Sequence, residues 1–329
     1  MKVAERANEI GGYFGLELGR GAGGPHDGAL ALNTARNGLL YVLSQRKPPK
    51  IYLPCFICNS VIDTLESAGV QYAFYNIDER LEMAEPLELY AGDRVLVVNY
   101  FGLKSAYCRE LFDRYGKALF VDNTQAFYAE PLAGCDTIYS PRKFFGVSDG
   151  GYLYTSIRSS DSLEQDVSWT AAQHLVGRVD TSAAQFYEEF RESEKRLRAR
   201  PVRTMSRLSE AILGSLDYDL IRKTRERNFL FVHNALAHAN RMSIRLTDLC
   251  GPMVYPFWTQ DLGLRQELLK KRIYVATYWA EVLENRYSSQ IEKDLADGLL
   301  PLPIDQRYGL NDMQTIIDSV LSLTVRRPE

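Results

Sequence analysis

The run Arg94–Asn99, RVLVVN, sets the tightest limit on what this chain can fold into. Val95, Leu96, Val97 and Val98 leave no polar face, so a strand built from them is buried on both sides, as in a parallel sheet covered by helices. The surrounding sequence alternates to match. Lys50–Leu53 reads as a strand closed by Pro54, Asn59–Ala68 as a helix stopped by Gly69, and Gln71–Tyr75 as a strand. Cys108–Tyr115 reads as a helix and Leu119–Val121 as a strand ending in Asp122, with Thr137–Tyr139 and Tyr152–Thr155 as two more strands. Such alternation predicts an α/β fold with a mostly parallel, doubly wound sheet. Ligands of such sheets sit at the carboxyl ends of the strands. Ahead of these elements, Tyr13–Leu18 is expected as a short strand. Leu32–Ser44 is expected as a helix capped by Thr34, with Ala35, Arg36 and Asn37 in its first turn. A helix start with small residues suits a phosphate group.

The character changes after residue 160. Ala183–Arg198 reads as a long charged helix ended by Pro201, and Arg203–Ser215 and Leu220–Ala239 read as further helices. Met253–Trp258 is strand-like, Leu262–Lys271 helical, Tyr274–Thr277 extended and Gln314–Leu321 a closing helix. A chain of 329 residues exceeds one simple core. A large cofactor-binding domain over 1–205 and a small C-terminal α/β domain over 206–329 are expected. The basic cluster Lys195–Arg203 reads as a solvated helix face. With 39 basic against 42 acidic residues the net charge is -3, which argues against a nucleic-acid partner. No stretch approaches the length of a membrane span, and Glu5 and Glu9 interrupt any leader-like apolar region. Five cysteines without an export signal read as reduced thiols of a cytoplasmic protein. Cys55-x-x-Cys58 lacks the second pair that a structural zinc needs, so no metal site is expected.

Two short motifs fail on context. GRGAGG at Gly19–Gly24 matches a dinucleotide fingerprint in letters, but Pro25-His26-Asp27-Gly28 follows where a helix is required. Gly146–Gly150 matches G-x-S-x-G, but a strand-like run follows Ser148 where a nucleophile elbow needs a helix. His174, His233 and His238, the histidines downstream, lie in helix-like or loop contexts and read as surface or packing residues.

The segment YSPRKFFGVSDGGYLYT at Tyr139–Thr155 carries the strongest chemical signal. A lysine amine there can condense with an aldehyde cofactor once it sheds its proton, which partial desolvation favours. Asp122 at a strand end can pair with a pyridinium nitrogen, Gln125 can reach the ring substituents, and Ser140 can donate to phosphate. A plain surface ion pair between Lys143 and Asp149 is the simpler alternative.

These residues resemble those of the DegT/DnrJ/StrS-type sugar aminotransferases, which use pyridoxal 5'-phosphate (PLP) on a type I fold. The matching positions are DNTQ at Asp122–Gln125, then Ser140, Lys143, Asp149, Gly150 and Gly151, with Asp136 as the acidic residue shortly before the lysine segment. The turn at Thr34, Ala35 and Arg36 resembles the family's phosphate-binding helix start, and LLPLPID at Leu299–Asp305 its late small-domain strand. The resemblance implies Lys143 as the Schiff-base lysine and proton-transfer base, Asp122 on the pyridinium and Gln125 beside the ring hydroxyl. Ser140 with the amides of Ala35 and Arg36 would hold the phosphate. It further implies a nucleotide-linked keto sugar as substrate, a glutamate-like amino donor, a homodimer with shared sites, and a place in surface-polysaccharide or secondary-metabolite sugar synthesis.

The chain departs from that pattern in four ways. Its Ser140–Lys143 spacing is short, and the whole chain is shorter than most members. Cys58, carried over as a cofactor-pocket residue, stands where an aromatic usually stacks on the ring, with Phe56 and Tyr100 as candidate replacements. Met205 stands where the partner subunit's asparagine is expected. Tyr13 and Phe14 are candidates for a substrate pocket. The alternatives to transamination are other PLP chemistry, such as dehydration, and a catalytically inactive binding or regulatory relative.

Overall fold

In the computed structural model, which describes residues 10–19, 21, 23–158 and 162–324, the run Arg94–Val98 is a strand flanked by strands on both edges. In chain order the elements are β1 (Leu30–Leu32), α1 (Ala35–Arg46), β2 (Lys50–Pro54), α2 (Asn59–Ser67), β3 (Gln71–Tyr75), β4 (Arg94–Val98), α3 (Ser105–Tyr115), β5 (Leu119–Asn123), β6 (Asp136–Tyr139) and β7 (Gly151–Tyr154). These strands form one sheet in the order β1-β7-β6-β5-β4-β2-β3. The pairs from β3 through β2, β4 and β5 to β6 are parallel, and only β7 runs against its neighbours. Val95, Leu96, Leu119 and Phe120 are essentially inaccessible, as a two-sided parallel sheet requires. The strand order reverses between β2 and β4, and the loops leaving β4, β5 and β6 open on that side.

The second half supplies α4 (Gln173–Asp180), α5 (Tyr187–Arg198), α6 (Arg207–Leu213), α7 (Tyr218–Leu236), β8 (Tyr255–Trp258), α8 (Leu264–Lys270), α9 (Gln290–Gly298), β9 (Leu299–Leu302) and α10 (Leu310–Thr324). Strands β8 and β9 pair antiparallel into a second, two-stranded sheet. No helix among the described residues is long and apolar enough to cross a membrane.

Several expected elements differ. Tyr13–Leu18 forms no strand; Tyr13 and Phe14 are 98% and 91% exposed, so they line no substrate pocket. Tyr274–Thr277 is irregular, while β1, α4 and α9 form where none was expected. The helix expected from Arg203 begins only at Arg207, because the Ser206 hydroxyl caps it by accepting the Ser209 amide. The helix expected from Ala183 begins at Tyr187. Of the GRGAGG run, Arg20 and Ala22 lie outside the described residues, as do residues 1–9 of the leader reading. The remainder leads into a turn and β1 rather than into a helix.

Two close approaches set the position of α1. A side chain at Gly38 would press on Ile138 at 3.1 Å, and one at Gly151 would lie 2.3 Å from the Ala35 amide nitrogen. Gly151 therefore lets β7 run directly against the start of α1. Beneath this contact, Asp136 anchors β6. It accepts Arg46 Nε at 2.6 Å, Arg94 Nη2 at 2.7 Å and Thr155 Oγ1 at 2.6 Å. Burial alone would raise its pKa, but these three donors outweigh it and the net direction is downward. A depressed carboxylate stabilises the fold above its unfolded pKa and loses that contribution as pH falls through the folded value. Asp136→Asn should therefore cost about 3 kcal/mol in urea unfolding at pH 7, since it strands two arginines. The gap to the unsubstituted protein should narrow as the pH is lowered below about 4.

Candidate active site

Strand β6 ends at Tyr139 and passes through Ser140 into a single tight turn, Pro141–Lys143, that delivers the lysine over the end of β5. There Lys143 Nζ donates to Thr124 Oγ1 at 2.9 Å. Strand β5 carries Asp122 at its carboxyl end. Asp122 is 5% exposed, and its Oδ1 accepts the Thr124 amide at 2.8 Å. This short turn fixes both the carboxylate and the threonine that orients the lysine. Gln125 is buried, and its Oε1 accepts the Phe101 amide at 3.0 Å, leaving its side-chain nitrogen without a partner among the described residues.

These side chains line one cavity of about 220 Å³. All eight residues singled out in the sequence meet there: Lys143, Asp122, Gln125, Ser140, Thr34, Ala35, Arg36 and Cys58. Lys143 is solvent-exposed along part of its side chain, while its amine reaches in among the residues that line the cavity. That enclosure thins the water around its ammonium and lowers its pKa, with Arg142 pushing the same way and Asp122 and Cys58 opposing. The thinned hydration at the deep amine, rather than burial of the whole side chain, sets the direction.

Helix α1 points its amino end at the cavity. Thr34 Oγ1 accepts the Asn37 amide at 2.9 Å, the Ala35 amide is taken up in the parallel bridge between Thr34 and Gly150, and the Arg36 amide has no partner among the described residues. The free Arg36 amide at a helix start, with the buried Ser140 hydroxyl, unpaired among the described residues, on the same cavity, makes an anion cradle. The cradle stays open because the chain opposite has no side chain at Gly150 and Gly151. Gly150 has φ +133, and a side chain there would strike Pro141 at 2.8 Å.

The anticipated stacking rings fall elsewhere. Phe56 and Tyr100 are fully buried, and neither lines the cavity. Trp279 lines it instead, a residue that no local signal marks. It holds a left-handed conformation (φ 56), packed edge-on to Phe56 at 4.6 Å and against Tyr100 at 5.7 Å. Arg142, Glu194 and Arg198 are further lining residues that the sequence reading missed. Arg198 falls in the basic cluster read as solvated, and Arg200 of that cluster pairs with Asp166 at 3.0 Å.

The rival readings find no geometry. Asp149 is fully buried and turned away from Lys143: it accepts Ser206 Oγ at 2.7 Å, the Ser206 amide at 2.9 Å and the Ser209 hydroxyl, so the surface ion pair does not form. Instead it ties the lysine loop to α6. Ser148 is buried, donates to Ser168 at 2.9 Å and is followed by β7, so it makes no nucleophile elbow. Met205 is buried within its own chain and lines no part of the cavity.

No family model and no curated protein sequence matches the chain. Solved structures do. A sugar aminotransferase from Micromonospora echinospora, CalS13, aligns with a TM-score of 0.65 at 16% identity, over 89% of this chain and 87% of its own. A DegT/DnrJ/EryC1/StrS aminotransferase from Brucella abortus aligns at 0.61 and 15% identity, over 90% and 85%. DesV of S. venezuelae, solved in complex with a ketimine intermediate, aligns at 0.63 and 18% identity, over 92% and 85%. The chain thus has the type I fold of the PLP-dependent aminotransferases, shared with sugar aminotransferases over nearly its full length.

Proposed function

We propose that the chain is a PLP-dependent aminotransferase, a divergent relative of the DegT/DnrJ/StrS-type enzymes, acting on a nucleotide-linked keto sugar with an amino-acid donor such as glutamate. One observation carries the proposal. A lysine with a lowered pKa, a strand-end carboxylate and an open anion cradle face the same cavity, on the fold that sugar aminotransferases share.

The donor set fits the cofactor. The Arg36 amide with Ser140 and Thr34 suits a phosphate, and Asp122 keeps one oxygen, unpaired among the described residues, for a pyridinium nitrogen. Gln125, Cys58 and Trp279 line the same cavity and would border the ring, Phe56 after β2 being buried away from it. Bound there, PLP would supply an aldehyde for an amine to condense with and a ring that accepts the electrons of a broken carbon–hydrogen bond. The chain's own part is positioning and proton movement. Lys143 Nζ, eased toward its neutral form, offers a lone pair that Thr124 Oγ1 aims. Once free, the same nitrogen takes a proton from the substrate and returns it at a second carbon. Asp122 keeps a positive charge on its partner nitrogen by proximity. The reading includes a homodimer, supported by the exposed Trp169, Val176, Val179 and Tyr187 around α4 and α5.

The test is a panel of nucleotide-linked keto sugars incubated with glutamate, PLP and the purified protein, read by mass spectrometry. An amino sugar with stoichiometric 2-oxoglutarate is the expected product. Dehydrated or unchanged sugar from every substrate, with PLP bound, would point to other chemistry at Lys143.

A further inference from the structure

The cavity lining carries more positive charge than a cofactor cradle needs. Arg36, Arg142, Lys143 and Arg198 face only Asp122 and Glu194 there, in a chain that is net acidic. Among the described residues, Arg36 and Arg198 have no hydrogen-bond or ion-pair partner, and they face each other closely enough to oppose one another's charge. Burial, then Arg198 and Arg142, lower the Arg36 pKa. Arg142 is paired with Glu194, yet its Nε is buried with no partner. Unpaired buried donors are rare and mark a missing acceptor.

Depth separates this cluster from the cradle. Thr34, Ser140, Asp122 and Gln125 are 1–6% exposed and form the floor. The Arg142 and Glu194 side chains are 21% and 32% exposed, and Arg198 at the end of α5 is open to solvent. Arg198 therefore stands at the mouth, with Arg142 and the half-buried Arg36 between it and the floor, above the residues that would hold the cofactor.

We propose that Arg36, Arg142 and Arg198 form an oxyanion seat at the cavity mouth, in which the Glu194 carboxylate is a stand-in that an incoming substrate's oxyanion displaces from Arg142. Guanidinium groups grip phosphate and carboxylate oxygens in pairs, and three around one opening suit a group of two or more negative charges. The diphosphate of a nucleotide-linked sugar and the carboxylates of the amino donor share that chemistry. Only the assignment to a substrate rests on the aminotransferase reading; the seat itself stands on the unpaired arginines.

The test is calorimetric titration of the full-length protein, saturated with PLP, with inorganic pyrophosphate and separately with 2-oxoglutarate. At least one probe should bind. Arg198→Gln should weaken that probe about tenfold and Glu194→Gln should tighten it about threefold, because one removes a donor and the other a competitor. PLP uptake, followed by visible absorbance, should shift less than about threefold in both variants. Loss confined to pyrophosphate assigns the seat to the nucleotide, and loss confined to 2-oxoglutarate to the donor. Absence of binding by either probe, or an Arg198→Gln protein that binds both unchanged, overturns the seat. So does loss of PLP uptake in step with the probe, which would place the arginines in the cofactor cradle. Weaker binding in Glu194→Gln overturns the stand-in role. A protein that takes up no PLP would defeat the aminotransferase reading, while the same titration without cofactor still reads the seat.

Discussion

Lys143→Ala protein should emerge folded, colourless after incubation with PLP and desalting, and slower in amino transfer by about a thousandfold. Borohydride treatment should attach the cofactor to the unsubstituted chain at Lys143 alone and to the variant nowhere. Lys143 opens onto a cavity and its one side-chain hydrogen bond among the described residues is to Thr124, so its removal should leave the melting temperature nearly unchanged. Lys143→Arg separates charge from nucleophilicity: it keeps the positive charge but cannot offer a free amine, so it should be as inactive as the alanine variant. The pH dependence has a definite sign. PLP uptake needs the neutral amine, and the Lys143 pKa lies below its ordinary 10.5. Uptake should reach its plateau at a lower pH than for a free lysine. Asp122 holds that pKa up, so Asp122→Asn should move the uptake midpoint further down. An alanine variant that still transfers amino groups at full rate would remove Lys143 from the chemistry.

Much of this site was legible because its chemistry is local in sequence. Asp122, Gln125, Ser140 and Lys143 sit at or just beyond the carboxyl ends of two adjacent parallel strands, β5 and β6, whose pairing brings those ends together. The helix start at Thr34 was legible through capping chemistry, since a threonine before small residues marks a helix end whatever follows. Trp279 was not legible, because it reaches the cavity from about 155 residues beyond Thr124 through tertiary packing on Phe56 and Tyr100. The place of Arg198 was missed for a related reason. Arg198 is exposed, as are its neighbours Lys195 and Arg196, so the solvated reading holds for its burial; what the sequence does not show is that the placement of α5 sets this one residue at the edge of the cavity. The partners of Asp149 were not legible, because Ser206 and Ser209, which hold it with three hydrogen bonds and leave the alternative ion pair with Lys143 unformed, lie far along the chain.

Arg225→Met should lower stability by about 3 kcal/mol and loosen PLP binding, although Arg225 does not line the cavity. The side chain is 2% exposed and lies over the Phe144 ring at 4.6 Å. Its Nη1 donates to the Pro252 and Met253 carbonyls, both at 3.1 Å, and its Nη2 to the Phe144 carbonyl at 3.3 Å. Its Nε donates to Gln306 at 2.8 Å, and Gln306 in turn donates to the same Phe144 carbonyl at 2.7 Å. Phe144 is the residue after Lys143, so this clamp ties the lysine turn to the segment leading into β8. Burial lowers the Arg225 pKa to about 10, which still leaves it charged at neutral pH and makes each bond charge-assisted. Methionine keeps much of the volume but leaves three carbonyls short of a donor, which costs more than the lost packing. The melting temperature should fall by about 4 °C, scaled for a chain of this size. Gln306→Leu should lower it less, because the arginine remains. If the turn is held from this side, Arg225→Met should weaken PLP uptake at temperatures well below its own melting point, with Lys143 itself intact. Unchanged uptake there would confine Arg225 to stability and leave the lysine turn fixed by Asp149 and α6 alone.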